Sequence, residues 1–395
     1  MKLRQIDQAT LKGKKVLVRV DFNVPLKDGK ITDNTRITAH KETIELLIKN
    51  SAKVALVTHL GRPKGESVDS LSTKQLISEV EAQFGMKVIF ARDLDEISGK
   101  MESLEPGELL LIENIRFYPE EKKNDRDFAK KLAIPFDIFV MDAFSAAHRA
   151  HASTDAVQHE LPSFAGLLLK KEIEMLGKVK KDPEKPFVII LGGAKVSDKI
   201  GVIESLLEKA DSILIGGGMA FTFLKASGLE TGTSLVEEES LNFAVEMLGK
   251  ARSSGVSIVL PEDVKIGTGP EDKEGITVKA VSIPEDKMGL DIGPETVELF
   301  KKTIKGSRTV LWNGPLGVLE NPVFAEGTKE IAAYIAERTD NKELFSVIGG
   351  GDSAAAVKKF KYETRMSHVS TGGGASLEFF EKEILPGVEP LSVDE

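Results

Sequence analysis

Short runs of Val, Ile and Leu alternate along the whole chain with longer segments of helical apolar spacing. In the first half the runs are Val16 to Val20, Val54 to Thr58, Lys87 to Phe90, Leu109 to Ile112 and Ile138 to Met141. In the second half they are Phe187 to Leu191, Ser212 to Ile215, Ser257 to Leu260, Thr309 to Trp312, Phe345 to Ile348 and His368 to Ser370. Apolarity within each run is continuous rather than alternating, which marks strands buried on both faces, as in a parallel sheet. Strands alternating with helices predict doubly wound α/β architecture in both halves. Phe164 to Val179 carries Leu167, Leu168, Ile173 and Leu176 at helical spacing and predicts a helix bridging the halves. The charged stretch Lys178 to Pro186, with two prolines, marks the boundary. We therefore expect one domain over residues 1–180, a second over 181–380, and a tail over 381–395.

Composition narrows the picture. The chain has 395 residues, and a single core rarely grows past about 250–300 residues, so two domains are expected. A formal net charge of -9 argues against a nucleic-acid or anionic-membrane binder. A small anionic substrate would then need a local basic pocket. With no cysteine, thiolate and disulfide chemistry are excluded. Met1 to Thr10 has no apolar signal core, and no apolar run approaches the roughly 20 residues of a membrane-spanning helix. The expectation is a cytoplasmic protein.

Ligands of open parallel sheets bind beyond the carboxyl ends of the strands, and the two halves differ there. The second half is glycine-rich: Gly192 to Lys195, Gly216 to Gly218, Asn313 to Gly317, Gly349 to Asp352 and Thr371 to Ser376. Glycine lets backbone approach a ligand and turn N–H groups toward phosphate oxygens, and a helix start favours anions. The first half has polar and basic residues instead: Asp21 to Asn23, His59 to Arg62, Glu113 to Arg116, and Asp142 to Arg149. Arg36 falls in the first turn of a helix capped by Asp33, with Ile37, Ile44, Leu47 and Ile48 inward. In a parallel sheet Arg62, Arg116 and Arg149 converge on one edge with His59 and His148, and guanidinium forks suit carboxylate and phosphate. Singly, each has a plainer reading: a solvated arginine, a hydrogen-bonded loop histidine, or a helix cap at Asp352. Lys195 and Lys199 alone would be a solvated stripe opposite Val196, Ile200, Ile203 and Leu207.

The segments KVLVRVDFNVP, THLGRP, ENIRF, DAFSAAHRAHAST, LGGAKVSDKI, GGGMAFTFLK, MGLDIGP, WNGPLGVLE, GGGDS and STGGGASLE resemble, in order, the motifs of the phosphoglycerate kinases. The resemblance implies two Rossmann-like domains joined by a helix, with the C-terminal tail packing back on the N-terminal domain. It implies 3-phosphoglycerate or 1,3-bisphosphoglycerate on the first domain. Asp21, Phe22 and Asn23 would meet the glycerate hydroxyl and carboxyl region, and Arg36 the reacting carboxyl. Arg62, Arg116, Arg149 and His59, with Leu60 and Gly61, would hold the other phosphate. ATP or ADP would lie on the second domain, its adenosine among Gly192, Gly193, Gly217, Gly218, Gly289 and Pro315, with Glu320 on the ribose. Ala194, Asn313, Val318, Gly349, Gly350, Gly351 and Ser353 would complete that site. Lys199 would contact phosphate and Asp352 would carry Mg2+. Lys195, Gly372, Gly373 and Gly374 would meet the phosphoryl group in transit. The family is usually monomeric. This chain departs from it at Lys287, where Trp is frequent, and at Ser353, where Thr is common.

The residue types suit the implied chemistry. Phosphoryl transfer needs positioning and charge neutralisation, and a carboxylate nucleophile needs no general base. Neither a GxxxxGK[ST] loop nor a protein-kinase catalytic loop is present. Two rivals remain: a nicotinamide dehydrogenase, since Gly349 to Ala354 formally fits GxGxxG/A, and a non-catalytic nucleotide binder on the same fold. Against the first, no acidic residue stands near Val369 to take a ribose. Against the second, Arg36, Lys199 and Asp352 are all present.

Overall fold

A computed structural model describes residues 2–393. Met1, Asp394 and Glu395, the outermost residues of the terminal segments expected above, lie outside the described residues. The chain divides into two compact units, Met1–Glu174 with Lys382–Glu395, and Met175–Glu381.

In the first unit six strands lie in the order Lys87–Ala91, Glu108–Ile112, Lys53–Val57, Lys15–Arg19, Ile138–Met141, Ser163–Ala165. Every pairing is parallel. Val16, Val18, Val54, Leu56, Leu109, Leu111 and Val140 face Ile37, Ile44, Leu47, Val80 and Phe84 in one core, and each fully buried aliphatic contributes roughly 1.5–3 kcal/mol. The chain works outward from Lys15–Arg19 and then returns to its other side at Ile138–Met141. That reversal leaves a crevice at the two carboxyl ends, where Asp21 and Asp142 stand. The tail packs on this unit: Ser392–Val393 pairs antiparallel with Lys2–Leu3, and Gly387 donates its amide to Ala147 O at 2.8 Å.

The second unit has the strand order Ser257–Val259, Ser212–Ile215, Phe187–Leu191, Thr309–Asn313, Phe345–Gly349, His368–Val369, again all parallel. Its reversal falls between Phe187–Leu191 and Thr309–Asn313. A three-stranded antiparallel sheet, Ile276–Lys279, Asp263–Gly267, Met288–Ile292, adds to this unit. The apolar runs did not predict it, because its outer strand Ile276–Lys279 is largely exposed and carries no buried signature.

Two helix expectations are corrected. The bridging helix spans Leu167–Lys181 rather than Phe164 to Val179. Phe164 instead pairs with Val140 in the edge strand, and Gly166 turns the chain by donating to Met141 O at 2.9 Å. This linking helix begins in the first unit and ends in the second, burying Leu169, Ile173, Leu176 and Val179. The Arg36 helix is not continuous either. It consists of Thr35–Ala39 and Lys41–Lys49, broken at His40. Asp33 holds its start through Thr35 N, accepted by Oδ1 at 2.8 Å, although the boundary residue is Asn34.

Candidate active site

At the first unit's reversal the loop after Lys15–Arg19 turns polar, and its side chains organise the crevice. Asp21 is 4% exposed. Its Oδ2 accepts from Arg36 Nη1 at 2.7 Å and from the Ser145 hydroxyl, while Oδ1 accepts from Asn23 N at 3.1 Å. Asn23 Oδ1 then accepts from Gly61 N at 2.8 Å, and Arg116 Nη1 donates to Gly61 O at 3.0 Å. Gly61 has φ +62, and a Cβ there would fall 2.7 Å from Leu71, so glycine fixes this turn. One hydrogen-bonded set thus joins Asp21, Asn23, Arg36, Gly61 and Arg116. Arg149 is exposed and donates through Nε to His148 Nε2 at 3.0 Å. Arg62 is exposed beside Gly61. Phe22 and Leu60 are 0% and 2% exposed; Phe22 packs its ring on His40 and Phe84, so both offer the crevice backbone alone.

Beneath this set lies a layer that the strand pattern did not single out. Arg19 is fully buried, donating through Nε to Ser153 Oγ at 2.9 Å and through Nη2 to His59 Nδ1 at 3.1 Å. Ser153 in turn donates its hydroxyl and amide to the buried Glu121 at 2.7 and 2.8 Å. Burial depresses His59 well below the usual imidazole range, and Arg19, Arg116 and Arg149 depress it further against Asp21. His59 is therefore neutral, accepting at Nδ1. Burial and the same three arginines push His151 down to about 3. Arg116 is brought down to about 10, first by burial and then by Arg19 and Arg149. For Asp21, burial favours the neutral acid, and Arg36, Ser145 and the Asn23 amide oppose it. Arg116 Nε is buried without a hydrogen-bond partner, a costly condition that an anion in the crevice would relieve. An arginine at a core position of an apolar strand was the available signal for Arg19; His151 and Glu121 had none.

In the second unit the glycine loops meet at the reversal and divide into two kinds. Gly192 donates to Asn313 O, Gly193 to Pro315 O and Gly217 to Leu316 O, at 2.8, 2.8 and 3.0 Å. A Cβ on Gly192 would lie 2.1 Å from Pro315 O, and one on Gly314 2.2 Å from Gly192 O. These glycines let the loops touch one another, and their amides are already used. Asn313 Nδ2 donates to Gly349 O at 2.8 Å, and the buried Ser353 hydroxyl accepts from Gly314 N at 2.5 Å; both are scaffold contacts. Ser353 thus keeps the hydroxyl that Thr would supply. Val318 N donates to Leu290 O at 3.0 Å, bringing that loop beside Gly289, whose approach to Phe221 leaves no space for a Cβ. Gly218 is half-buried and lies against Ala194. Glu320 is exposed at the loop's far end.

The other kind is open. Gly373 and Gly374 lead into the helix Gly374–Glu381, and a Cβ on either would meet nothing within 4 Å. Gly372 is instead tied down, donating to Ser370 Oγ at 3.1 Å. Gly351, equally open, starts the helix Gly351–Lys359 after Gly350 turns at φ 88. Asp352 lies exposed in its first turn rather than capping it. Lys195 is exposed ahead of the short turn Ser197–Lys199. Burial lowers the Lys199 ammonium, while Asp198, Asp352 and Glu381 counteract it. The buried face behind them is Val196, Val202, Ile203, Leu206 and Leu207, with Ile200 only partly covered. Among the described residues no group of three or more His, Cys, Asp or Glu could hold a metal. One exposed carboxylate in the first turn of a helix fits Mg2+, which binds through one or two carboxylates plus substrate phosphates.

The phosphoglycerate kinase family model matches residues 6–383. The chain is 50% identical to the phosphoglycerate kinase of Dictyoglomus turgidum over 96% of each chain, and 51% identical to that of Thermosipho africanus over 99% of this chain and 97% of the other. The solved phosphoglycerate kinase structure from Coxiella burnetii superposes with a TM-score of 0.89 at 38% identity, covering 99% of both chains. That from Pyrococcus horikoshii gives 0.86 at 32% identity over 98% of both. The dehydrogenase reading falls, and the chain belongs to the phosphoglycerate kinase family.

Proposed function

We propose that the Asp21–Arg116 crevice of the first unit is the 3-phosphoglycerate site, and that the Lys195–Lys199 turn with the Gly351 and Gly373 helix starts is the nucleotide-phosphate site, of the phosphoglycerate kinase reaction. As a member of its family the enzyme transfers a phosphoryl group reversibly between 1,3-bisphosphoglycerate and ADP, giving 3-phosphoglycerate and ATP in glycolysis. The observation that carries the first assignment is the buried, unpartnered Nε of Arg116 amid Arg19, Arg149 and a neutral His59. On this reading Arg116, Arg62, Arg149 and His59 hold the non-reacting phosphate. Asp21 and Asn23 orient the glycerate hydroxyl, and Arg36 aligns the carboxylate. In the glycerate-phosphorylating direction that carboxylate oxygen attacks the γ-phosphorus, a new O–P bond forms, and the bond to the β–γ bridging oxygen breaks, leaving ADP. No proton is transferred, so no general base is needed. Arg36, Lys195, Lys199 and the amides of Gly373 and Gly374 supply donors for the equatorial oxygens. Asp352 would hold Mg2+, whose contribution is neutralisation of nucleotide phosphate charge.

The domain assignment follows: residues 1–180 bind the glycerate substrate, 181–380 bind nucleotide, and the 381–395 tail returns to the first domain. Transfer then calls for closure of the two domains, which excludes water from the acyl phosphate. Small-angle scattering with both substrates should show compaction; an unchanged radius would remove closure from the mechanism. We also propose a cytoplasmic monomer without nucleic-acid or membrane partners, supported by the charge of -9; no helix of the described residues is long and apolar enough to cross a membrane. Light scattering on a sizing column checks the monomer. The site assignment is tested by calorimetry. Arg116→Ala should weaken 3-phosphoglycerate binding about a hundredfold, as expected for losing a charge-assisted bidentate contact, and leave MgADP binding unchanged. Unchanged glycerate affinity would place the substrate elsewhere.

A further inference from the structure

We infer that His40 is a positioning residue that links substrate held at Asp21 to the first turn of the linking helix. The inference rests on the assignment of Asp21 to 3-phosphoglycerate. His40 breaks what would otherwise be one helix, and its ring is 1% exposed. Its Nε2 accepts the backbone N–H of Asp21 at 2.9 Å, so the ring proton sits on Nδ1 and is donated to Asp142 Oδ2 at 2.7 Å. The other oxygen of that carboxylate accepts from the Thr43 hydroxyl at 2.9 Å and from the amides of Leu168 and Leu169 at 3.0 and 3.4 Å. Thr43 Oγ1 accepts the Leu167 amide at 2.9 Å.

The first amides of a helix have no partner within it, and here Asp142 and Thr43 supply all three. Asp142 and Thr43 are 0% and 1% exposed, so water is no substitute partner and the helix start depends on this carboxylate. The connection is continuous: Asp21 amide, imidazole, carboxylate, helix amides. At its outer end the Asp21 side chain is held by Arg36, Ser145 and Asn23, and Asp21, Arg36 and Asn23 are the groups that a bound glycerate would engage. At its inner end is the helix that runs on to Lys181 in the second unit. The imidazole is rigid and fixed edge-on to Phe22 at 5.8 Å between centroids, so a displacement of the Asp21 backbone reaches Asp142 rather than being absorbed by rotation. A network serving only to order the core would make the same contacts without responding to ligand, and that difference is measurable.

The experiment is hydrogen–deuterium exchange of the segments 18–24 and 164–171 with and without 3-phosphoglycerate, alongside steady-state kinetics. In the unaltered enzyme 3-phosphoglycerate alone should slow exchange in both segments. His40→Asn keeps the donor to Asp142 and loses the acceptor for the Asp21 amide. His40→Gln does the reverse, so each cuts the link at a different end and either alone decides. Each should retain ligand protection at 18–24 and lose it at 164–171. Each should also raise KM for 3-phosphoglycerate about tenfold, as expected when a buried amide or carboxylate loses its partner, with KM for ATP unchanged. Ligand protection at 164–171 equal to that of the unaltered enzyme in either variant would overturn the inference, as would its absence from the unaltered enzyme. Absence of protection at 18–24 in the unaltered enzyme would instead overturn the placing of substrate at Asp21, and the link with it.

Discussion

The crevices of the two units are built by opposite means. The first concentrates charge: Arg19 and Arg116 are buried, His59 and His151 are held neutral beside them, and the arginines depress one another. Its field exists before any ligand arrives, and the unit carries a repulsion that an anion relieves. The second spends few side chains. Gly192, Gly217 and Gly314 fit backbone against backbone, and Gly373 and Gly374, with open space where a side chain would stand, lie at a helix start. Its demand is conformational rather than electrostatic. A charged crevice is sensitive to charge substitution and tolerant of small shape changes; a glycine cradle is the reverse.

The sharpest way to break this contrast is to remove a charge from one side and ask whether the other notices. Arg36→Ala should lower kcat about a thousandfold, the scale for losing a cation that stabilises a transferring phosphoryl group. MgADP affinity, measured by calorimetry, should stay the same. Turnover equal to that of the unaltered enzyme would discredit the role assigned to Arg36.

The complementary change adds volume to the second unit. Gly192→Ala places a methyl 2.1 Å from a backbone oxygen, where nothing can rotate away, and should destabilise that unit by about 3 kcal/mol. Gly373→Ala meets nothing within 4 Å but must hold φ +54, which costs about 1 kcal/mol. Trp312, the single tryptophan, is buried in this unit, so urea denaturation followed by its fluorescence reads both variants. Equal losses would mean that the close approach at Gly192 contributes nothing beyond backbone freedom.

The same contrast explains what could be read from the sequence. Strands buried on both faces announce themselves as unbroken apolar runs, so both parallel sheets were legible nearly to the residue, except for the short edge strand Ser163–Ala165, which was read into the helix. The antiparallel sheet was not: its outer strand Ile276–Lys279 is largely exposed, with only Val278 packed against the core. Asp21, His59, Arg62, Arg116 and Arg149 were legible as strand-end residues, but the layer holding them was not. Arg19, Ser153 and Glu121 come together only through a strand order that no local periodicity encodes. His40 was hidden for a related reason: it falls within helical spacing, and only the pull of Asp142 and the Asp21 amide breaks the helix there. In the second unit the sequence marked the glycine loops but did not show that Gly192, Gly193 and Gly217 use their amides on neighbouring loops. Sequence shows that glycine is present without showing which side of the chain needs the space.

The most discriminating test is the response of each unit to pH. In the unfolded chain His59 and His151 gain protons as pH falls through about 6.5. Folded, burial and the neighbouring arginines keep both neutral, His151 down to about 3. The unfolded state therefore binds more protons below about 6.5, and the first unit loses stability as pH falls. Asp291 in the second unit behaves in the opposite sense. Burial pushes its carboxyl up to about 7, despite hydrogen bonds from the Gly327 and Ile292 amides. Between about 4 and 7 the folded unit holds a proton that the unfolded chain has released, so this group makes stability fall as pH rises, by at most about 1.4 kcal/mol per pH unit. Comparing the Trp312-detected unfolding free energy of the unaltered enzyme with that of Asp291→Asn isolates the group. The difference should grow steadily in favour of the variant from pH 4 to 7 and level off above. A difference that stays flat across that range would mean that the two amides win over burial and that Asp291 is already ionised, leaving the second unit, like the first, built around a buried charge.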